Sequence, residues 1–206
     1  MTLPIKSNIE QFQKIISNSG FRLSNELPAD WAEKNIIMDK KPFPGPLRYD
    51  KSPYTREIVN TLSPDHPARV VAVMKGGQIG FSTGVIYAGS MWIIRNNPGN
   101  ILITVGSAEL MDRAMMRIDS FIDNSGTRKY IQSQAKRARA QKTGDTNQMK
   151  EFFGGLLAIY NADNHKNIRQ DDYMYGFIDD FESIKQSSDK SGSTLELLEQ
   201  RFAAYG

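Results

Sequence analysis

The sequence predicts an α/β fold, a mostly parallel sheet with helices on both faces, and three observations carry that reading. The apolar run Val70–Met74 passes directly into a Gly-rich turn, MKGGQIGFST (Met74–Thr83), and then into a long apolar helical stretch. A second short strand, inside YGFIDDFE (Tyr175–Glu182), ends in two acids. Between the two, strand-like and helix-like segments alternate, the order that lays helices across a parallel sheet.

The elements follow in chain order. Ile9–Ile16 and Ala29–Asn35 read as short helices, the second introduced by Pro28. Pro42, Pro44, Gly45 and Pro46 make Asp39–Asp50 an extended connector. Ser52 is a candidate N-cap, with Pro53 at the first helical position of a helix over Pro53–Leu62. Arg69–Val73 reads as the strand before the Gly-rich turn, and Ser82–Asn96 as the helix after it, stopped by Asn97-Pro98-Gly99. Strand Ile101–Val105 follows. Ser107 then caps a helix reaching about Asp123, in which Leu110, Ala114, Met115, Ile118 and Ile122 recur at core-facing helical spacing.

After a basic stretch, Glu151–Phe153 and Leu156–Tyr160 flank Gly154-Gly155 as a hairpin. A connector holding Asn164 and Arg169 leads to the acidic strand, Met174–Ile178, and a last helix spans about Thr194–Ala204. No internal repeat is present.

Composition bounds the function. At 206 residues, with 39% hydrophobic and 24% charged residues, the chain buries one sizeable core and reads as one main soluble domain. It has no cysteine, which excludes disulfides and thiolate metal sites and fits a reducing cytoplasm. The longest apolar run, Val85–Ile94, is far shorter than the roughly 20 residues that span a bilayer, and the N-terminus has no secretory pattern. His66 and His165 are isolated and form no metal-site pattern. The net charge is only +3, yet Arg128, Lys129, Lys136, Arg137, Arg139, Lys142 and Lys150 cluster. Basic residues without aromatic neighbours suit phosphate-backbone contact; a solvated or disordered excursion over Gln132–Gln148 is the competing reading.

The Gly-rich turn carries the ingredients of a phosphate-binding loop. Glycines let backbone N–H groups approach oxygen, a helix N-terminus supplies positive potential, and a lysine and a hydroxyl complete the set. Against G-x-x-x-x-G-K-[ST], Gly80 and Ser82 are in register, Lys75 occupies the place of the first glycine and Phe81 that of the lysine. The acids Asp179 and Asp180 leave the C-terminal end of their strand, the edge where α/β sheets bind ligands. In P-loop ATPases the first such acid holds Mg²⁺ and the second orients the attacking water.

Together these residues resemble the large subunit of tailed-bacteriophage terminases, in the lambda-like branch whose P-loop lysine also opens the motif. Trp31-Ala-Glu33 and PGPLRYDKSPYTREIVNTLS (Pro44–Ser63) look like that family's lead-in. Asn97-Pro98-Gly99 before ILITVGSAE looks like its second strand, and Gly154–Glu182 like its passage into the acidic motif. The resemblance covers about Leu27–Tyr205.

It implies a P-loop NTPase fold of the additional-strand class, with residues 1–50 as lead-in and 51–206 as ATPase core. It implies ATP and Mg²⁺ as cofactors and ATP-driven packaging of double-stranded DNA into a prohead, with the small terminase subunit, the portal protein and a homo-oligomeric ring as partners in the host cytoplasm. Gly76, Gly77, Gln78, Ile79 and Gly80 would cradle phosphates with Phe81, and Lys75 would neutralise β/γ charge. Ser82 would ligate Mg²⁺, with Thr83 the nearest substitute. Asp179 would hold the metal, and Asp180 would orient water with Glu182 in reserve. Tyr54 and Arg56 lie where the family places adenine contacts, although Tyr54 also reads as core. Lys136, Arg137, Arg139 and Lys142 would meet DNA. Arg169 could face a neighbour's γ-phosphate; pairing with Asp171 is the favoured reading. Family members continue into a coupling motif and a nuclease domain that do not follow Gly206, so nuclease activity is not expected. A helicase-like ATPase and a catalytically weak DNA-binding or assembly module are the rival classes.

Overall fold

The computed structural model describes residues 26–39, 44–132, 149–162 and 172–180, together with Glu196 and Phe202. The readings placed on Ile9–Ile16, on Asn164, Arg169, Asp171 and Glu182, and on the basic residues Lys136, Arg137, Arg139 and Lys142 lie outside these residues. So does the last helix, except that Glu196 and Phe202 are helical.

Two short helices open the described chain, α1 (Pro28–Asn35) and α2 (Pro53–Asn60), each with proline in its first turn, where no intrahelical donor is lost. Between them β1 (Ile37–Met38) and β2 (Gly45–Pro46) pair antiparallel within the predicted connector, and a 3₁₀ turn spans Tyr49–Lys51. Ser52 occupies the N-cap position of α2 but makes no capping bond. Its hydroxyl donates instead to the Ile79 carbonyl at 3.1 Å.

The predicted helix Ser82–Asn96 is present in two parts, a wide π-helical turn over Ser82–Tyr87 and α3 (Ala88–Asn96). Nearly all of α3 is buried, as expected of a helix apolar on every side. Its polar residues bond within the helix, the Ser90 hydroxyl to the Ile86 carbonyl and the Asn96 amide to the Trp92 carbonyl. The α4 helix (Ala108–Asn124) begins at Ser107, whose Oγ accepts from the Leu110 N–H at 3.2 Å. It buries Ala114, Met115, Ile118, Phe121 and Ile122. Among the described residues no helix is long and apolar enough to cross a membrane.

The sheet contains β3 (Ile101–Val105), β4 (Met149–Phe152), β5 (Gly155–Asn161) and β6 (Tyr175–Ile178) in the order β4-β5-β3-β6. Strand β3 pairs parallel with β5 and with β6, and β4 pairs antiparallel with β5. Ile101, Ile103 and Val105 point into the main core, which they share with Trp31, Val59, Trp92 and Ile118 from α1 to α4. Leu102, Ala158, Tyr160 and Tyr173 form a smaller cluster on the other face, joined by Phe202.

Two boundaries differ from the sequence reading. The hairpin turn is Phe153-Gly154, with Gly154 at φ +88°, whereas Gly155 already pairs with Phe152. The second glycine answers to packing: a Cβ there would meet the Gly99 carbonyl at 2.7 Å. More importantly, Arg69–Val73 is not a strand; none of its residues joins a ladder among the described residues. Val70 is 87% exposed and Met74 fully so. Alternation and β-branching suit a residue to a sheet, but a strand also needs partners for its backbone groups, and the described sheet order ends at β6 without supplying one.

Candidate nucleotide site

Parallel pairing fixes where the acids emerge. The register Thr104↔Ile178 aligns the C-terminal ends of β3 and β6, and the Asp179 N–H continues the ladder by donating to the Thr104 carbonyl at 3.0 Å. Successive side chains of an extended strand would point to opposite faces. The chain avoids this at Asp180, which adopts φ +51°, a conformation that a short polar side chain tolerates better than most. Both carboxylates therefore reach one cation: Lys75 Nζ lies 2.9 Å from Asp180 Oδ1 and 3.6 Å from Asp179 Oδ1. The Asp180 hydrogen bond raises the Lys75 pKa above its ordinary value, against the opposing effect of burial and with further help from Asp179.

Ser82, at the other end of the Gly-rich turn, donates from Oγ to Asp179 Oδ2 at 2.7 Å. Phe81, which stands where the usual motif has lysine, lies under the displaced one, with Lys75 Nζ 5.6 Å from the ring centroid. This is a cation–π distance and supplies a physical reason for the exchange of residue types. Positive φ at Gln78 and at Gly80 curls the loop between them. A Cβ at Gly80 would press on Ser52 Oγ at 3.3 Å, whereas Gly77 has open space around it. Packing thus explains Gly80 but not Gly77.

The loop is also held from outside. Tyr54 Oη donates to the Ile79 carbonyl at 2.7 Å, and Ser52 Oγ binds the same oxygen. Tyr54 is 45% exposed, so it is a surface residue at the loop rather than core. The Arg56 guanidinium binds Glu33 at 3.0 Å and Asp30, both on α1. Thr83 lies in the π-turn, where its carbonyl accepts from the Ala88 N–H. The ends of the basic stretch are engaged too. Lys150 is 3% exposed and pairs with Asp119 at 3.0 Å, and Arg128 binds Asp123 at 2.7 Å. Lys129 lies exposed, 5.2 Å from the Tyr130 ring centroid, so this end of the stretch has an aromatic neighbour, contrary to the sequence reading. Sequence reasoning missed the loop anchors: Ser52 was visible only as a cap, and Tyr49, buried behind the loop, carries no motif signal.

The sequence model for the ATPase domain of the phage terminase large subunit gpA matches residues 41–206. The chain belongs to that family. A comparison with curated proteins found no match. As an ATPase domain of a phage terminase large subunit, the protein uses ATP.

The candidate site fits a magnesium nucleotide on the chemistry of its donors. Asp179 Oδ1 is buried without a hydrogen-bond partner among the described residues, and the other carboxylate oxygen accepts from the Ser82 hydroxyl. One carboxylate and one hydroxyl are a small oxygen set. Mg²⁺ suits such a set because it keeps several waters and takes phosphate oxygens as its remaining ligands.

Proposed function

We propose that this terminase domain hydrolyses ATP with Mg²⁺ through a phosphate loop whose lysine stands at its start, and that hydrolysis drives double-stranded DNA into a prohead. One observation carries the reading. Lys75 and Ser82, the two ends of the Gly-rich turn, meet Asp180 and Asp179, which lie 105 and 97 residues away in sequence. Two independently legible motifs thus form one cluster at the strand edge where α/β sheets bind ligands.

In this mechanism the backbone of Gly76–Gly80 lines the phosphates, and Lys75 neutralises β/γ charge. An ammonium has three donors, so Lys75 can keep Asp180 while binding a phosphate oxygen. Ser82 Oγ and Asp179 would hold Mg²⁺, which supplies charge neutralisation on the transferring group. Asp180 orients the attacking water and accepts its proton at a carboxylate oxygen. Such a site works by positioning and electrostatics rather than covalent chemistry. Tyr54, whose hydroxyl is bonded to the loop, would meet the base, and Arg56, whose guanidinium pairs with α1, is the second candidate for that contact.

The same reading assigns the fold to the additional-strand class of P-loop ATPases and the DNA contact to Lys136, Arg137, Arg139 and Lys142. Its partners are the small subunit, the portal and further copies in a ring, acting in the host cytoplasm. The test is steady-state ATP turnover by Asp180→Asn. Turnover falls on the order of 100-fold or more if Asp180 handles the water; unchanged turnover in a folded variant removes it from that role.

A further inference from the structure

The helix behind the phosphate loop widens immediately after its first residue, Phe81. Residues Ser82–Tyr87 form a π-turn, a rare geometry concentrated at functional sites, and it contains both Ser82 and Gly84. Gly84 is tightly enclosed: a Cβ would meet Thr55 Oγ1 at 3.1 Å and Tyr49 Cε1 at 3.3 Å. Tyr49 is 2% exposed, and its Oη donates to the Gly84 carbonyl at 2.7 Å. Burial, reinforced by Glu33, raises the phenol's pKa far above its ordinary value, so the hydroxyl remains a donor. The Tyr49 backbone is anchored in turn, since its N–H donates to Glu33 Oε1 at 2.9 Å and Glu33 is paired with Arg56. A chain of contacts thus runs from α1 through Tyr49 into the turn that carries the Ser82 hydroxyl.

We propose that Tyr49 is a positioning residue for the metal site, its hydroxyl fixing the π-turn so that Ser82 Oγ stays on Asp179. Tyr49 touches neither nucleotide nor metal in this role. The proposal rests on the ATPase reading above and adds that metal affinity is set from behind the loop.

The test uses the full chain with Mn²⁺ as probe and a non-hydrolysable ATP analogue. Free Mn²⁺ is followed by electron paramagnetic resonance in the parent, in Tyr49→Phe and in Gly155→Ala. Phenylalanine keeps the ring volume, so folding, checked by circular dichroism, is preserved. Loss of one buried hydrogen bond corresponds to roughly tenfold in affinity, and Tyr49→Phe is expected to weaken Mn²⁺ binding by about that factor. Gly155→Ala, which presses on the Gly99 backbone and leaves Tyr49 and its partners untouched, is expected to lower the melting temperature with Mn²⁺ affinity unchanged. Amide exchange at residues 82–88 should speed up in Tyr49→Phe while that of β3 does not.

Equal Mn²⁺ affinity in the parent and Tyr49→Phe overturns the positioning role and leaves the ATPase reading intact. Equal weakening in both variants also overturns it, because general loosening then explains the effect. A parent that binds no Mn²⁺ with the analogue overturns the ATPase reading itself, and this inference with it.

Discussion

Ser82 Oγ lies 2.7 Å from Asp179 Oδ2, and this hydrogen bond joins the far end of the Gly-rich turn to the acidic strand, as Lys75 with Asp180 joins its start. It leaves Asp179 Oδ1 buried with Lys75 at 3.6 Å and no hydrogen bond among the described residues. A buried carboxylate oxygen in that condition is costly unless it serves a ligand. Ser82→Ala is therefore expected to raise the Mg²⁺ concentration for half-maximal ATP turnover on the order of tenfold to 100-fold, with little change in melting temperature. A metal titration of turnover at saturating ATP checks it.

Glycines at Gly77 and Gly155 separate ligand approach from packing. A Cβ at Gly155 would collide with the Gly99 backbone, which cannot swing aside, so Gly155→Ala should cost roughly 1–3 kcal/mol of stability. Among the described residues, a Cβ at Gly77 would meet nothing within 4 Å beyond its chain neighbours. If its glycine serves close phosphate approach, Gly77→Ala keeps its melting temperature and loses nucleotide affinity. Denaturant unfolding and analogue binding, measured on both variants, make the comparison.

Acid stability reports on the Glu33 anchor. Burial pushes the Glu33 pKa up, but the Tyr49 N–H and the Arg56 guanidinium outweigh it and bring the net value below the ordinary 4.5. A depressed carboxylate pKa stabilises the fold fully above the unfolded value, and the contribution fades as pH falls through the folded one. The melting temperature of the parent should accordingly fall below about pH 4.5 more steeply than that of Glu33→Gln. Parallel curves would show that Glu33 contributes nothing through its charge.

Duplex binding tests the basic stretch. Neutralising Lys136, Arg137 and Arg139 together should weaken binding to unrelated duplex sequences alike and flatten the log–log salt dependence by roughly 0.9 per lost phosphate contact. Binding measured from low to moderate salt with an unchanged slope would exclude these residues from the DNA contact.

Local chemistry made much of the fold legible. Strand Ile101–Val105 announces itself by continuous β-branched and apolar residues, and Ser107 caps α4 as its position suggests. What stayed hidden depends on contacts distant in sequence. Arg69–Val73 has the residues of a strand, yet pairing is a property of neighbours that the string does not name. Ser52 sits at a cap position but spends its hydroxyl on Ile79, 27 residues on. Within the site, residue types marked Lys75, Ser82, Asp179 and Asp180, whereas the left-handed turn that lets both acids reach Lys75 has no sequence signature. Tyr49 was invisible for the same reason, being one aromatic in a connector until the fold sets it behind Gly84.

The central claim is that the displaced lysine Lys75 holds the nucleotide. Calorimetric titration of the protein with Mg²⁺ and a slowly hydrolysed ATP analogue, beside a Lys75→Ala variant shown to be folded by circular dichroism, tests it most directly. The account predicts saturable binding by the parent and its loss in the variant. Equal binding by both, or none by a folded parent, would contradict it.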